Sequence, residues 1–209
     1  MIVVLDYGIG NLASAHRALR HIGADARLVR EPAEAHGATG VVLPGVGNFG
    51  ACATALRESG LDEVVRDAVR ERTPLLGICV GLQLLYEESE ESAHVPGLGI
   101  LEGSVRRLSG EMRLPQMQWN TIDAVAGRSS KLLRESTRIP WFYFVHSYAP
   151  VPSPAGASTV VATCEYGGEV AAVVESENCF GTQFHPEKSA KDGLALLSSF
   201  ASLCEESNT

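Results

Sequence analysis

Residues 74–83 read Pro-Leu-Leu-Gly-Ile-Cys-Val-Gly-Leu-Gln. Four apolar or small residues, 75–78, predict a buried strand, and a helical pattern follows directly. Cys79 lies at the corner between Gly77 and Gly81, which is the nucleophile-elbow pattern with cysteine in place of serine. We expect the turn to expose the thiol at a helix N-terminus, where the thiolate is favoured. By itself the pattern also fits a structural cysteine in a tight turn, so a catalytic role requires a base elsewhere.

Strands and helices alternate on either side of this corner in the first half of the chain. Strands are predicted at residues 2–5, 26–29, 40–43 and 75–78, and helices at 11–22, 52–58 and 61–72. Such alternation is typical of a parallel α/β sheet covered by helices on both faces. From about Gly97 the pattern becomes β-rich, with predicted strands at 104–108, 142–145, 159–163, 170–174 and 181–184. Composition predicts a proline-rich loop at 150–156, and periodicity predicts a final helix at 189–204. Residues 205–209 are expected to fray.

Composition predicts one ordinary globular domain over residues 1–209. The chain carries 17 Lys and Arg against 25 Asp and Glu, a net charge of −8, and the acidic residues are scattered. This charge disfavours a nucleic-acid-binding surface. No apolar run approaches the roughly 18 residues of a membrane span, and the start lacks a signal-peptide pattern, so we expect a cytoplasmic protein. Five cysteines, an odd number with no Cys-x-x-Cys, argue against a disulfide framework or a zinc site.

A candidate base lies near the C-terminus, where residues 180–187 read Phe-Gly-Thr-Gln-Phe-His-Pro-Glu. Pro186 biases His185 toward an extended conformation, and residues two apart in an extended chain face the same way. His185 and Glu187 therefore share a side, as a base and its orienting carboxylate require. The motif His-Pro-Glu alone is also common in surface turns. Its combination with the cysteine elbow favours a catalytic role.

A glycine-rich turn follows the third predicted strand, in Pro44-Gly45-Val46-Gly47-Asn48. Glycines let backbone N–H groups approach a ligand closely, which suits an oxyanion hole formed with Gly47 and completed by the N–H of Val80. The turn lacks the Gly-Lys-Ser/Thr ending of a phosphate-binding loop. Its simpler interpretation is a plain turn before a helix capped by Asn48. As a further hypothesis, the turn is misaligned in the free protein and its peptide rotates on activation.

Taken together, the elbow and the distant His-Pro-Glu resemble the class I (triad) glutamine amidotransferases. Four further stretches resemble, more narrowly, the glutaminase subunits of imidazole glycerol phosphate synthases, and the likeness runs in order from about residue 2 to 200. These stretches are residues 6–12 (Asp-Tyr-Gly-Ile-Gly-Asn-Leu), 44–47 (Pro-Gly-Val-Gly), 87–91 (Glu-Glu-Ser-Glu-Glu) and 143–148 (Tyr-Phe-Val-His-Ser-Tyr).

The resemblance implies a flavodoxin-like α/β fold with a mostly parallel central sheet and a β-rich C-terminal half. It implies Cys79 as nucleophile, His185 as acid and base, and Glu187 as the partner of His185. Residues expected at the glutamine pocket are Gln83, Glu91, Ser147 and Tyr148, and those expected toward a synthase partner are Trp119, Tyr143 and Lys188. The implied partner is a (β/α)₈ cyclase subunit in a heterodimer, with no metal or organic cofactor. The chain departs from the family pattern at Gln116 and Gln118, where histidine and glycine are expected near the partner-facing Trp119.

Other interpretations remain open at this stage. Residues 8–13 fit the Gly-x-Gly-x-x-Gly/Ala fingerprint of dinucleotide binding, with Glu31 placed as a ribose-binding carboxylate. A catalytically silent paralogue would have lost a triad member, and none is missing. A different glutamine amidotransferase or a free-standing cysteine hydrolase is a third alternative. His146 is a rival base without a carboxylate two residues away. The other four cysteines, Cys52, Cys164, Cys179 and Cys204, are expected to be buried or incidental.

Overall fold

The first half of the chain folds as alternating strands and helices. The structure, a computed structural model, describes residues 1–9, 12–133 and 139–206. The elements in order are β1 (Ile2–Leu5), α1 (Leu12–His21), β2 (Ala26–Val29), β3 (Gly40–Gly45), α2 (Phe49–Glu58), α3 (Leu61–Arg70), β4 (Leu75–Cys79) and α4 (Val80–Leu84). The predicted bounds of β1 and β2 are confirmed, while β3 and β4 extend further than predicted. Position 11, the predicted start of the first helix, lies outside the described residues.

The second half is rich in short strands, as predicted, and ends in a long helix. Its elements are β5 (Glu88–Ser89), β6 (Gly103–Arg107), β7 (Gln116–Thr121), β8 (Asp123–Ala124), β9 (Trp141–His146), β10 (Tyr148–Pro152), β11 (Val160–Glu165), β12 (Glu169–Ser176), β13 (Cys179–Thr182) and α5 (Ala190–Glu206). Helix α5 continues two residues beyond its predicted end at Cys204. The remainder of the predicted frayed tail, 207–209, lies outside the described residues.

One eight-stranded sheet forms the centre of the fold, in the order β2-β1-β3-β4-β13-β12-β11-β8. The four pairings from β2 to β13 are parallel, and the three pairings beyond β13 are antiparallel. Strand β4 therefore lies between β3 and β13, with Ile78 opposite Thr182. The carboxyl ends of parallel strands meet at one edge of a sheet, so the residues that follow β3, β4 and β13 converge there.

Two smaller sheets complete the β-rich half. Strand β6 lies between β10 and β5, and β7 pairs with β9 in an antiparallel ribbon. The prediction that residues 150–156 form only a loop is wrong, because Pro150 and Pro152 belong to β10 and pair with Val105 and Gly103 of β6. Strand β10 has a neighbour on one side only, and an edge strand tolerates the missing N–H of proline. The loop prediction excluded a helix and a central strand, and it did not consider an edge strand.

Helix α2 begins at Phe49, three residues earlier than predicted. Asn48 is its N-cap, and the Asn48 side chain accepts a hydrogen bond from the Ala51 amide at 3.0 Å. This cap satisfies one of the amides that the first turn of a helix leaves without a partner. Gly50 and Ala51 are small and do not continue the apolar periodicity, so the sequence pattern did not predict the start of this helix.

No helix within residues 1–9, 12–133 and 139–206 has the length and apolar character needed to cross a bilayer. All five cysteines are buried and outside any disulfide bond.

Candidate active site

Cys79 occupies the sharp corner between strand β4 and helix α4. Its φ of +55° and ψ of −112° are rare for a residue with a side chain, and such backbone strain is found mainly at functional sites. Glycine is required beside it, because a Cβ on Gly81 would lie 1.8 Å from the carbonyl oxygen of Leu43. The predicted strand–turn–helix corner is present. The prediction of an exposed thiol is wrong, since Cys79 is only 2% exposed and the helix after it has five residues.

His185 and Glu187 lie beside the corner because β13 is parallel to β4. His185 has an extended backbone (φ −100°, ψ 95°) and precedes a short 3₁₀ helix, Pro186–Lys188. Its Nδ1 lies 2.7 Å from Oε1 of Glu187, and both side chains are buried. The chain from β13 remains extended beyond Thr182, because the His185 amide donates to the carbonyl of Tyr143 in β9. The predicted geometry of base and orienting carboxylate is therefore present.

The pKa values of two buried histidines at the site are shifted in opposite directions. Burial opposes protonation of His185, but Cys79 and Glu187 outweigh it and raise the pKa of His185 to about 10. Burial lowers the pKa of His146 to about 4. The Nδ1 of His146 lies 2.9 Å from the carbonyl oxygen of Tyr148, which can only accept, so Nδ1 of the neutral ring carries the hydrogen. The pKa of His185 is thus raised where that of His146 is lowered, and this difference favours His185 over His146 as the acid and base.

Cys79 and His185 line one cavity of about 370 Å³. Its lining includes most of the predicted site residues, namely Gly47, Cys79, Val80, Gln83, Glu91, Ser147, Tyr148, His185 and Lys188. A larger cavity of about 710 Å³ lies between Phe142 and Leu196 and holds none of the predicted site residues. The chemistry of the lining, rather than size, identifies the smaller cavity as the candidate active site.

The glycine-rich turn after β3 forms one wall of this cavity. Gly47 has a φ of +91°, a conformation in which a side chain is strained, although a Cβ there would meet no atom within 4 Å. Two buried side chains hold the carbonyl groups before it. The Tyr7 hydroxyl donates to the carbonyl oxygen of Pro44 at 2.6 Å, and the Cys52 thiol donates to that of Val46 at 3.3 Å. These two hydrogen bonds therefore hold the backbone of Pro44 and Val46 in place at the cavity wall.

Comparison with known proteins agrees with this geometry. The model of the family described as "Glutamine amidotransferase class-I" matches residues 3–202. The chain belongs to this family. A relative in Symbiobacterium thermophilum, named "Imidazole glycerol phosphate synthase subunit HisH", is 45% identical over 95% of this chain and 92% of its own length. A relative of the same name in Oceanobacillus iheyensis is 42% identical over 94% of this chain and 96% of its own length. Within class I, the chain groups with these HisH subunits.

Solved structures confirm the fold of this class I amidotransferase. A chain described as "Crystal structure of glutamine amidotransferase" superposes with a TM-score of 0.75 at 25% identity, covering 98% of both chains. A chain of PurLQS from Thermotoga maritima superposes with a TM-score of 0.74 at 22% identity, covering 95% of this chain and 96% of that one. The predicted α/β fold, with a large central sheet flanked by helices, is therefore confirmed.

Two of the predicted pocket residues are held by the protein itself. The Gln83 amide donates one hydrogen to the carbonyl oxygen of Tyr148 at 2.9 Å and the other to Oε1 of Gln183 at 3.0 Å. Oε2 of Glu91 accepts from the Phe49 amide at 2.6 Å, at the start of α2. Both side chains still line the cavity. Because both amide hydrogens of Gln83 are already donated, only its carbonyl oxygen is left to face a ligand.

Two of the predicted partner-facing residues, Trp119 and Tyr143, pair across the β7–β9 ribbon, and the third, Lys188, lies at the cavity. Trp119 in β7 is 46% exposed and makes an edge-to-face contact with Tyr143 in β9, with ring centres 6.1 Å apart. Lys188 lines the cavity. The departure at positions 116 and 118 leaves the β7–β9 pairing regular from one end to the other.

Gln116 is buried completely, and its amide donates to the Cys164 sulfur at 3.8 Å. Among the residues that the structure describes, its carbonyl oxygen has no hydrogen-bond partner, and neither has Nε2 of His146, the residue opposite it on β9. Gln116, where the resemblance implied histidine, therefore lies inside the fold, on the face of the ribbon opposite Trp119.

Sequence reasoning missed two buried residues of the site, Gln183 and Ser189. Ser189 accepts from the Tyr143 amide at 3.0 Å and donates to the carbonyl of His185 at 2.6 Å, so it fixes the segment that carries His185 to β9. Gln183 donates to the Cys79 sulfur at 3.7 Å. The alternation that placed His185 and Glu187 on one side of an extended chain also places Gln183 there, so a signal for it was present.

The residues of the dinucleotide fingerprint do not assemble a comparable site in what the structure describes. Positions 10 and 11 lie outside the described residues, and Glu31 is exposed at the start of the 3₁₀ helix Pro32–Ala35. The family match favours the amidotransferase interpretation over this alternative. Within the described ranges, no group of three or more His, Cys, Asp or Glu side chains is placed to hold a metal ion.

Proposed function

We propose that this chain is a glutaminase that supplies ammonia to a synthase, with Cys79, His185 and Glu187 as its catalytic triad. The observation that carries the proposal is the buried His185–Glu187 pair, 2.7 Å apart, beside a strained cysteine elbow in one cavity. The family match over residues 3–202 supports treating residues 1–209 as one amidotransferase domain.

The reaction proceeds by acyl transfer. The Cys79 thiolate attacks the side-chain carboxamide carbon of glutamine and forms a tetrahedral intermediate. His185 gives its proton to the leaving nitrogen, and ammonia departs as the C–N bond breaks. His185 then takes a proton from water, the hydroxide attacks the glutamyl thioester, and glutamate leaves as the thiolate is restored. Glu187 holds the ring and stabilises its cationic form throughout. These steps use side chains and water, with no cofactor.

The cavity wall supplies the remaining roles. In this proposal the backbone N–H groups of Val80 and Gly47, two residues that line the cavity, stabilise the oxyanion of the tetrahedral intermediates. Around the amino-acid end of glutamine, Glu91 and the carbonyl oxygen of Gln83 are acceptors suited to an α-ammonium group. Ser147 and Tyr148 also line the cavity.

The partner in this proposal is a (β/α)₈ cyclase subunit. Relatives 42% and 45% identical are named as subunits of imidazole glycerol phosphate synthase, and subunits of such an enzyme act in a complex. The cyclase would combine the ammonia with a phosphoribulosyl-formimino carboxamide ribotide to form imidazole glycerol phosphate and an aminoimidazole carboxamide ribotide, a step of histidine biosynthesis. Ammonia is protonated and lost in bulk water, so a docked complex with a sheltered path is the functional form.

Trp119, Tyr143 and Lys188 would face that partner. The exposed side of the β7–β9 ribbon also carries Met117, 61% exposed, and Trp141, 49% exposed. Exposed aromatic and apolar side chains grouped on one face are typical of interaction surfaces. A cytoplasmic location belongs to the same proposal, because five cysteines, an odd number with no Cys-x-x-Cys, suit a reducing compartment better than a disulfide framework.

Glutamate release tests the proposal. The protein is assayed alone and with a cognate cyclase subunit and its ribotide ligand, and Cys79→Ser serves as the control. We expect release in the complex and none in the control. Full turnover by the isolated chain would instead indicate a stand-alone hydrolase. No turnover in either state would indicate a catalytically silent subunit.

A further inference from the structure

Gln183 makes an unusual contact for a fully buried side chain, because it touches the nucleophile. Its Nε2 lies 3.7 Å from Sγ of Cys79, within the range of an N–H···S hydrogen bond. The Gln183 backbone amide donates to the carbonyl of Ala172, which fixes the main chain. A buried amide requires partners for its polar atoms, and here the nucleophile sulfur is one of them.

The amide orientation of Gln183 follows from a chain of hydrogen bonds that begins at the Tyr148 carbonyl. This carbonyl oxygen can only accept, so the atom of Gln83 that faces it at 2.9 Å is the amide nitrogen. The same nitrogen lies 3.0 Å from Gln183, whose atom there must be the oxygen. Gln183 therefore turns its NH₂ group toward Cys79 rather than its carbonyl oxygen.

The groups around the sulfur are basic groups, acidic groups and one uncharged donor. Cys79 and Glu187 raise the pKa of His185, and Glu187 holds its Nδ1 at 2.7 Å. Tyr7 and Cys52 lie close enough to interact with Cys79, and a negative charge on Cys79 opposes their ionisation. Glu91 and Lys188 line the same cavity. Among these, the Gln183 amide is an uncharged donor that no proton transfer in the reaction alters.

We propose that Gln183 is a further residue of the catalytic machinery, which holds the Cys79 sulfur by an N–H···S⁻ hydrogen bond and stabilises the thiolate before glutamine attack. This inference rests on the proposed function, since it assigns a role in the same glutaminase step. Gln83 has a second role in it, because its bond to Oε1 of Gln183 sets the direction of the donated hydrogen.

The test compares Gln183→Met with Thr182→Val. Met has a similar volume and cannot donate a hydrogen bond. Thr182 is equally buried on the same segment, and its hydroxyl donates to the Phe184 carbonyl rather than to the site. Two readouts are taken: turnover of the full chain in the activated cyclase complex, and alkylation of Cys79 by iodoacetamide at pH 7, followed by mass spectrometry of its peptide.

We expect Gln183→Met to lower kcat and the alkylation rate each by about tenfold, the effect of one hydrogen bond to a charged group, with KM for glutamine nearly unchanged. Thr182→Val should retain both rates. An unchanged alkylation rate in Gln183→Met, or a rise in KM alone, would overturn the inference and leave Gln183 as a support for Gln83. If wild-type protein alkylates at Cys79 but releases no glutamate, the proposed function fails while the role of Gln183 is still measured.

A second measurement applies if Gln183→Met does not fold. The side-chain amide resonances of Gln183 are compared by NMR between wild-type protein and Cys79→Ala. A donor to sulfur must shift when the sulfur is removed, and identical resonances would contradict the inference.

Discussion

Gly47 has a φ of +91° at the wall of the active-site cavity, yet the space around its Cα is open. Substitution there is opposed by backbone conformation and not by crowding. We predict that Gly47→Val abolishes activated glutamine turnover while the fold persists, because a β-branched residue forces the turn, and the amide it carries, into another conformation. Glutamate release in the cyclase complex checks this.

Gly99 offers a matched control, since its φ is +64°, nothing lies within 4 Å of an added Cβ, and it is not among the residues that line the cavity. Gly99→Val should lose a similar amount of stability, about 1–2 kcal/mol, with turnover retained. Equal turnover in the two variants would show that the turn has no part in the chemistry.

His146 is a buried histidine whose pKa is lowered to about 4. Between pH 6.5 and 4 the unfolded chain binds a proton that the folded chain does not, so stability must fall as the pH falls through this range. We predict that His146→Asn shows a smaller loss of unfolding free energy between pH 7 and 5 than wild type, by about 2 kcal/mol. Urea titrations at both pH values measure the difference.

The pH dependence of stability would have the opposite sign for His185. Its pKa is raised to about 10, so its protonation stabilises the fold below that value. An acid-induced loss of equal size in His146→Asn and wild type would mean that the buried ring is not the group that titrates.

At the scale of elements, the elbow depends on how closely α4 packs against β3. A Cβ on Gly81 would lie 1.8 Å from the Leu43 carbonyl oxygen, and backbone on both sides prevents a small adjustment. We predict that Gly81→Ala lowers the free energy of unfolding by about 3 kcal/mol or more, at the upper end for overpacking. Gly23→Ala, at a positive φ in open space after α1, should cost about 1 kcal/mol. Chemical denaturation that gives equal costs would refute the packing argument.

The strands that sequence reasoning found or missed differ in how their burial is distributed. Strands β1 and β4 are buried at every position, so continuous apolar runs marked them. Strand β7 reads Gln-Met-Gln-Trp-Asn-Thr, with polar Gln116 facing inward and Met117 outward, which inverts the usual alternation. Strand β8 has two residues and gains its strand conformation only from its pairing with β11. The local sequence pattern cannot predict a strand such as β8, because its strand conformation depends on the strand with which it pairs.

At the scale of the whole molecule, the β7–β9 ribbon leaves an apolar face in solvent next to the active-site cavity. Trp119 lies opposite Tyr143, and Thr121 lies opposite Trp141. We predict that Trp119→Ala weakens binding of the cyclase subunit by about tenfold or more, as expected for a large aromatic residue at an interface, without lowering stability. Calorimetric titration of one subunit with the other gives the affinity.

Val151 provides the control for this surface, because it is 53% exposed but belongs to β10 in a different sheet. Val151→Ala should bind the cyclase as wild type does. If Trp119→Ala binds equally well, the partner docks elsewhere on the molecule.

The sequence by itself determined the features that short segments carry: the buried parallel strands, the cysteine corner with its two glycines, and the shared side of His185 and Glu187. These follow from periodicity, backbone sterics and the conformation imposed by proline, all of which act within a few residues. Only the tertiary structure decided which of these segments meet. The parallel pairing of β4 and β13 joins residues about 100 positions apart, buries Cys79 and directs the Gln183 amide at its sulfur. Such contacts depend on strand order and register, which burial of the whole core selects and no local stretch specifies.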